Sequence, residues 1–190
     1  MILFFDTETT GVPQNYKAPV SDLANWPRLV QIAWLLTDAD GTEVRSVEHI
    51  IKPHGFVIPA DVVRIHGIST EKAQEAGLEL AAALGEFAAD LAPAAVLVAH
   101  NLQFDEKILG AEFLRLGQRN PLPTQPRLCT MQAGTDVCRL PGRYGFKWPS
   151  LDELHRKLFK ESAASAHQAL ADVRACARCY FELRRLGVMA

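Results

Sequence analysis

Two predominantly apolar runs in the first 40 residues predict strands that are buried on both faces. Residues 2–5 read ILFF, and residues 29–37 read LVQIAWLLT. Continuous runs of this kind are typical of central strands. Turn-forming residues occupy positions 38–41, and a third strand is predicted over about 43–51. The three strands should therefore form an antiparallel meander.

From residue 58 onward the apolar positions recur mostly at helical spacing. Ser69 and Thr130 are predicted to cap helices, and Ser150 with Glu153 forms a capping box. Strands that come first and then alternate with helices indicate an α/β domain with a mixed sheet. The predicted helices cover about 58–67, 70–76, 78–91, 104–116, 130–140, 150–159 and 168–186, with short strands at 95–99 and 127–129.

Two loops interrupt this pattern. Residues 12–28 carry Pro13, Pro19 and Pro27, and a loop of this length inside a domain is usually functional or mobile. Residues 139–148 read RLPGRYGFKW and alternate basic with aromatic side chains. That mixture suits single-stranded nucleic acid, whose backbone needs cations and whose bases stack on aromatic rings. The alternative is that the aromatic side chains lie in the core while the charges face water.

Length and composition indicate one ordinary globular domain over residues 1–190. Hydrophobic residues make up 48% of the chain and charged residues 22%, and no apolar run approaches the length of a membrane span. The N-terminus shows no secretory signal pattern, so a cytoplasmic protein without a membrane partner is expected. Four cysteines, including the Cys176-x-x-Cys179 pair, are predicted to be reduced thiols.

The charge balance does not identify a partner. The formal net charge of −2 gives no support to a general phosphate-binding surface. Bound metal ions would neutralise some acidic residues, however, and would leave the remaining surface more basic than the sum implies. Nucleic acid therefore stays open as a partner.

The strongest candidate for a functional site is a pair of carboxylates at the end of the first strand. Asp6 and Glu8 lie on one face of that strand, because side chains alternate with a period of two. Two carboxylates about 4 Å apart repel each other by about 4 kcal/mol at an effective dielectric constant near 20. A hard divalent cation such as Mg²⁺ or Mn²⁺ would relieve this repulsion. The alternative is a surface turn rich in Asp, Thr and Gly.

Three further residues belong to the same candidate site. Asp105 follows strand 95–99 at a strand-to-helix junction, where open α/β sheets bind their ligands. Asp172 falls in the first turns of the last helix. On a continuous helix His167 would lie about 140° round the axis from Asp172, so we place His167 on the loop that enters the helix. A histidine there can take a proton from water near neutral pH.

Taken together, these segments resemble the three motifs of the DEDDh family of 3′–5′ exonucleases. The motifs are FDTETTG with Asp6 and Glu8, VAHNLQFD ending at Asp105, and HQALAD running from His167 to Asp172. The family includes the proofreading subunit of bacterial DNA polymerase III, ribonuclease T and oligoribonuclease. The likeness covers residues 1 to about 178, and the loops at 12–28 and 142–148 depart from the pattern.

The resemblance implies a ribonuclease H-like fold with a five-stranded mixed sheet that removes nucleotides from a 3′ end. It implies that Asp6 bridges two Mg²⁺ (or Mn²⁺) ions, that Glu8 and Asp172 complete the nucleophile-side metal, and that Asp105 holds the other. His167 would be the general base. The residues that the family places around the terminal nucleotide are Thr9, Thr10, Gly11, His66, Asn101 and Phe104.

Several alternatives remain at this point. DNA and RNA share the scissile phosphate, and no residue is recognisable as a reader of the 2′-hydroxyl. Single-stranded DNA, 3′ overhangs and RNA are thus all possible substrates, and a DNA polymerase or repair complex is a possible partner. A dehalogenase-like phosphatase is disfavoured because position 8 is Glu. A non-catalytic interaction module is disfavoured because all four acidic residues and the histidine are present. His66 could instead cap its helix, and Phe104 could belong to the core.

Overall fold

A five-stranded mixed sheet forms the middle layer of the computed structural model, which describes residues 1–163 and 168–189. The order in space is β3-β2-β1-β4-β5. β1, β2 and β3 form an antiparallel meander, whereas β4 and β5 run parallel to β1. This confirms the predicted mixed sheet. The strands are β1 (Ile2–Thr9), β2 (Leu29–Thr37), β3 (Glu43–Ile50), β4 (Val96–Ala99) and β5 (Arg127–Cys129).

Helices cover both faces of the sheet. Leu3 and Phe5 on one face of β1 belong to the core under α3 and α4, whereas Ile2 and Phe4 on the other face pack against α7. This division follows from the alternation of side chains along a strand. The helices are α1 (Ala60–His66), α2 (Thr70–Ala76), α3 (Leu80–Leu91), α4 (Leu102–Arg115), α5 (Thr130–Cys138), α6 (Leu151–Phe159) and α7 (Ala169–Arg185).

Most predicted helix ends lie within two residues of the observed ones, and two capping predictions are confirmed. Ser69 accepts a hydrogen bond from the Lys72 amide, and Ser150 with Glu153 forms the capping box of α6. The prediction for Thr130 is wrong: it is the first residue of α5, and Cys129 precedes it as the cap position. The Thr130 hydroxyl is used elsewhere, since it contacts His100 Nδ1 at 3.0 Å.

The predicted loop after α5 contains a small hairpin. Its two-residue strands are β6 (Pro141–Gly142) and β7 (Gly145–Phe146), paired antiparallel. All three of its aromatic side chains are exposed: Tyr144 is 88% exposed, Phe146 49% and Trp148 60%. The alternative that placed these side chains in the core is therefore wrong.

The long 12–28 loop is anchored to α4 by side chains that bind its backbone. Lys107 Nζ donates to the carbonyls of Tyr16 at 2.7 Å and Ala18 at 3.2 Å. Arg115 Nη2 donates to two further loop carbonyls, both at 2.7 Å. Trp26 is buried beneath the loop. The loop is therefore fixed along α4 from Lys107 to Arg115, the last residue of the helix.

Glu112, in the third turn of α4, is buried together with its own cations. Its Oε1 atom accepts hydrogen bonds from Arg28 Nε at 2.9 Å, from Arg115 Nη1 at 2.9 Å and from the Leu29 amide at 3.0 Å. The Glu112 side chain is only 1% exposed. This cluster ties the start of β2 to α4.

The cysteines match the sequence prediction, since all four are free thiols. Cys176 and Cys179 face the core from α7, and burial raises the pKa of Cys179 to about 12. Such a thiol stays protonated near neutral pH and is a poor nucleophile or metal ligand. Among the helices within the described residues, none has the length and apolar character needed to cross a membrane.

Candidate active site

The end of β1 presents two carboxylates on the face that α7 covers. Asp6 pairs in register with Ala33 of β2 and Glu8 with Gln31. Both carboxylates are half-buried, whereas Thr7 and Thr9 between and after them are buried on the opposite face. The prediction that Asp6 and Glu8 share a face is confirmed.

α7 brings a third carboxylate to the same place. Val173 and Cys176 pack in the same core cluster as Phe4 of β1, and this contact positions Asp172, in the first turn of the helix, over the strand end. One oxygen each from Asp6, Glu8 and Asp172 lies within 4.8 Å of the others. Among the described residues, these three form a group whose oxygen atoms are close enough together to hold one metal ion.

Asp105 approaches the site from the opposite face of the sheet. It lies in the first turn of α4 and is 3% exposed. Its Oδ1 atom accepts hydrogen bonds from the Thr7 amide at 3.1 Å and the Thr7 hydroxyl at 2.7 Å. Asp105 is not part of the group within 4.8 Å, but it binds the residue that separates Asp6 from Glu8.

The electrostatics of the site favour a cation. Burial, followed by the charges of Asp105, Glu8 and Asp172, raises the pKa of Asp6 well above its usual value. Burial and then Asp172 raise the pKa of Glu8 to about 7, and burial raises the pKa of Asp105 to about 7. Clustered carboxylate oxygens form the donor set that hard divalent ions prefer. The residues therefore fit a divalent metal.

His100, to which the sequence analysis gave no role, lies beside these carboxylates. Burial lowers the pKa of His100 to about 4, so its imidazole is neutral near pH 7. Its Nε2 donates to the Pro149 carbonyl and its Nδ1 accepts from the Thr130 hydroxyl, both at 3.0 Å. With Asp6 and Asp172 it lines a cavity of about 260 Å³. Its position directly after parallel strand β4 was the available signal.

Thr9, Thr10 and Gly11, which are predicted to bind substrate, form a tight turn at the end of β1. The Thr9 hydroxyl donates to the Gly11 carbonyl at 2.7 Å, and Gly11 has a φ of 146° that favours glycine. The Thr10 amide donates to the Arg28 carbonyl, and the Thr10 hydroxyl accepts from the Arg28 amide, both at 2.9 Å. These bonds close the base of the 12–28 loop next to Glu8.

The other three predicted substrate-binding residues line two separate cavities. His66 Nδ1 accepts from the Ile68 amide at 3.1 Å, which helps to close the end of α1. The same residue lines a cavity of about 320 Å³ with Gln31, the register partner of Glu8. Asn101, with a φ of 69°, and Phe104 line a second cleft on the α4 side. His167 lies outside the described residues.

The fold and the carboxylate group together define a nuclease of the ribonuclease H-like class. The chain belongs to the exonuclease family, because the RNase T family model, described as "Exonuclease", matches residues 3–180. This confirms the resemblance noted from the three motifs. A comparison with curated proteins gives no match.

Solved structures of exonuclease I share the fold. The Escherichia coli enzyme in complex with a dA16 oligonucleotide superposes with a TM-score of 0.77 at 20% identity. The zinc-bound form of the same enzyme with single-stranded DNA gives the same two values. The Methylocaldum szegediense enzyme gives a TM-score of 0.71 at 21% identity. Each alignment covers 97% of this chain and 40% of the other, so the chain spans about two-fifths of the length of these enzymes.

Proposed function

We propose that this protein is a metal-dependent 3′–5′ exonuclease that releases nucleoside 5′-monophosphates from single-stranded DNA or 3′ overhangs. The observation that carries the proposal is the convergence of Asp6, Glu8 and Asp172 within 4.8 Å in a chain of the exonuclease family. We propose DNA rather than RNA as the substrate because the similar exonuclease I structures hold a dA16 oligonucleotide or single-stranded DNA.

The four carboxylates would hold two Mg²⁺ or Mn²⁺ ions. Asp6 would be shared between the ions, with Glu8 and Asp172 on the nucleophile side and Asp105 on the other. When bound, such ions stabilise the attacking and the leaving oxygen of an in-line phosphodiester displacement. The raised pKa values of Glu8 and Asp105 support this role, since a nearby cation would return both groups to the ionised form.

Thr7 and His167 have other roles in the proposed site: Thr7 positions a carboxylate, and His167 would move a proton. Thr7 holds the Asp105 carboxylate through two hydrogen bonds and fixes the distance between α4 and β1. His167 would take the proton from the attacking water as the general base. A DNA polymerase or repair complex as partner, and a single exonuclease domain over residues 1–190, both stay predictions.

A substrate panel tests the reaction. The chain should shorten 5′-labelled single-stranded DNA and 3′-overhang duplexes from the 3′ end, faster than RNA of the same sequence. Mg²⁺ or Mn²⁺ should support turnover and Ca²⁺ should not, because Ca²⁺ tolerates looser ligand geometry. Full activity in excess EDTA, or shortening from the 5′ end, would exclude the proposal. Faster digestion of RNA would instead identify an exoribonuclease.

The role of His167 has a separate test. His167→Ala should lower turnover by about 10²- to 10⁴-fold, as is usual for a general base, whereas Mn²⁺ affinity in calorimetric titration should be unchanged. If the substitution abolishes Mn²⁺ binding, His167 is a metal ligand and not the base.

A further inference from the structure

A cleft lined by aromatic side chains and lysines lies on the α4 side of the candidate active site. Its volume is about 480 Å³, which lies within the range of ligand-binding sites. Two chain segments far apart in sequence form its walls, the 12–28 loop and the end of the hairpin after α5. The aromatic and cationic side chains of its lining are Tyr16, Lys17, Trp26, Phe104, Lys107 and Trp148.

Two of the aromatic rings are accessible from solvent. Tyr16 is 55% exposed and Trp148 is 60% exposed, whereas Trp26 and Trp34 are 3% and 0% exposed. Large exposed rings that line one cleft are suited to stacking, because every nucleobase offers a π-face to such a ring. Trp26 is covered by Lys107, whose Nζ lies 4.9 Å from the ring centroid, and it serves as the floor of the cleft.

The charge of the cleft is opposite to that of the carboxylate group. Among the described residues, its lining includes Lys17 and Lys107 but no Asp or Glu. The Lys107 ammonium is held by two backbone carbonyls, so no acidic side chain cancels its charge. A cationic cleft in a chain of net charge −2 is a local feature that suits a polyanion.

The cleft is joined to the candidate active site through consecutive residues of α4. Phe104 lines the cleft, whereas Asp105 binds Thr7 between Asp6 and Glu8. A strand whose terminal phosphodiester lies at the carboxylates can therefore continue into the cleft. Resting on the proposed function, we propose that this cleft binds bases of a single-stranded nucleic acid upstream of the scissile phosphate, with Tyr16 and Trp148 as stacking platforms.

Equilibrium binding tests the two platforms directly. The probe is a fluorescein-labelled 12-nucleotide single strand, as DNA and as RNA, measured by anisotropy in Ca²⁺. Tyr16→Ala and Trp148→Ala should each weaken binding by about 5- to 140-fold, the usual range for loss of one base–aromatic stack. Tyr16→Phe and Trp148→Phe keep a ring at each position and should bind nearly as the unchanged protein does.

Kinetics and abasic substitution separate stacking from a structural effect. The alanine variants should raise KM on the 12-mer and leave kcat on it unchanged, because only uniform binding is lost. Turnover of the p-nitrophenyl ester of thymidine 5′-monophosphate, which has no nucleotide upstream of the scissile bond, should also be unchanged. An abasic nucleotide moved stepwise from the 3′ end should weaken binding to the unchanged protein at one position or two adjacent positions. At that position Trp148→Ala should lose no further affinity, since the stack is already absent.

The outcomes are distinguishable. Suppose that the unsubstituted protein degrades the strand and the alanine variants bind it equally tightly. The cleft is then not a base-binding site, although the proposed function stands. Equal loss of turnover of the p-nitrophenyl ester in the alanine variants would also overturn the proposal, because that substrate has no upstream base to bind. A protein that neither binds nor degrades any strand would overturn both the cleft and the exonuclease function.

Discussion

α4 carries two buried carboxylates whose surroundings differ in charge. Glu112 is held by the guanidinium groups of Arg28 and Arg115. Asp105, about two turns earlier, receives hydrogen bonds from the neutral amide and hydroxyl of Thr7. Its closest charged neighbours include Glu8 and Asp6, which are also acidic.

This difference separates a structural carboxylate from one that we propose to bind a metal ion. The chain itself supplies the cations that stabilise Glu112, so that site is complete when the protein folds. Around Asp105 and Asp6 the charges that raise the pKa values are those of other carboxylates, and we propose that a bound metal ion supplies the compensating positive charge. A buried carboxylate whose neighbours are also carboxylates is therefore the more informative marker of function.

The largest expected effect comes from removing one charge of the carboxylate group. Asp6→Asn should abolish nuclease activity, because Asp6 lies at the centre of the ligand set. In EDTA at pH 7.5 the same substitution should raise the melting temperature, since it relieves repulsion worth a few kcal/mol at most. Activity assays and thermal unfolding check the two parts. A lower melting temperature in EDTA would reveal a structural partner of Asp6.

The opposite result is expected at Glu112. Glu112→Gln leaves two guanidinium groups without their anion and should destabilise the protein by about 3 kcal/mol. For a chain of this size that corresponds to about 6–12 °C in melting temperature. The rate constant for turnover well below the transition should stay unchanged. A stable Glu112→Gln variant would remove the contrast between the two carboxylates of α4.

A smaller effect should appear in the pH dependence of the metal-free protein. Glu8 and Asp105 have pKa values of about 7 when folded, against about 4 when unfolded. The folded state thus binds protons that the unfolded state releases, and stability falls as pH rises through 7. Between pH 6.5 and 8.5 the loss should be about 2 kcal/mol in EDTA.

Two controls sharpen this measurement. His100, with a pKa lowered to about 4, changes stability in the opposite direction, but mainly below pH 6.5, outside the chosen range. Addition of Mn²⁺ at pH 8.5 should restore the lost stability, because the ion replaces the protons. A melting temperature in EDTA that does not change with pH would mean that the pKa values of Glu8 and Asp105 are not raised as described.

The smallest effect concerns the cations of the hairpin. Lys147 Nζ lies 2.6 Å from Glu153 Oε1, whereas Arg143 forms no ion pair with a described carboxylate. Arg143→Ala should therefore raise KM on a long single strand and reduce the slope of log K against log salt by about 0.7. Lys147→Ala, the matched control, should do less. Equal effects would show that the Glu153 contact does not restrain Lys147.

Much of the fold could be predicted because its signals are local. The apolar run of β2 and the capping box at Ser150 each specify their own segment. The shared face of Asp6 and Glu8 follows from strand periodicity alone. The motif that ends at Asp172 indicates that the last helix contributes a further carboxylate to the same site. For this reason the carboxylate group was predictable, residue by residue, before any coordinates.

The contacts that could not be predicted join segments distant in sequence. Nothing near Arg28 indicates that it will bind Glu112, 84 positions away, and nothing near Trp148 indicates that Tyr16 will share its cleft. The hairpin at 141–146 was missed because its strands have two residues each, too few for any periodicity. His100 was missed because a histidine after a strand has many uses, and only its contacts with Thr130 and Pro149 select one.

The placement of Asp172 on α7, over the first strand, has a consequence for biosynthesis. Ribosomes make a chain from its N-terminus, so β1 with Asp6 and Glu8 emerges long before the helix that completes their site. Until residues 169–185 have been translated and have docked, the growing chain has a strand with two acidic side chains and an uncovered apolar face. A nascent chain of this protein should thus be inert toward nearby nucleic acid, and nuclease activity should begin only once α7 is in place.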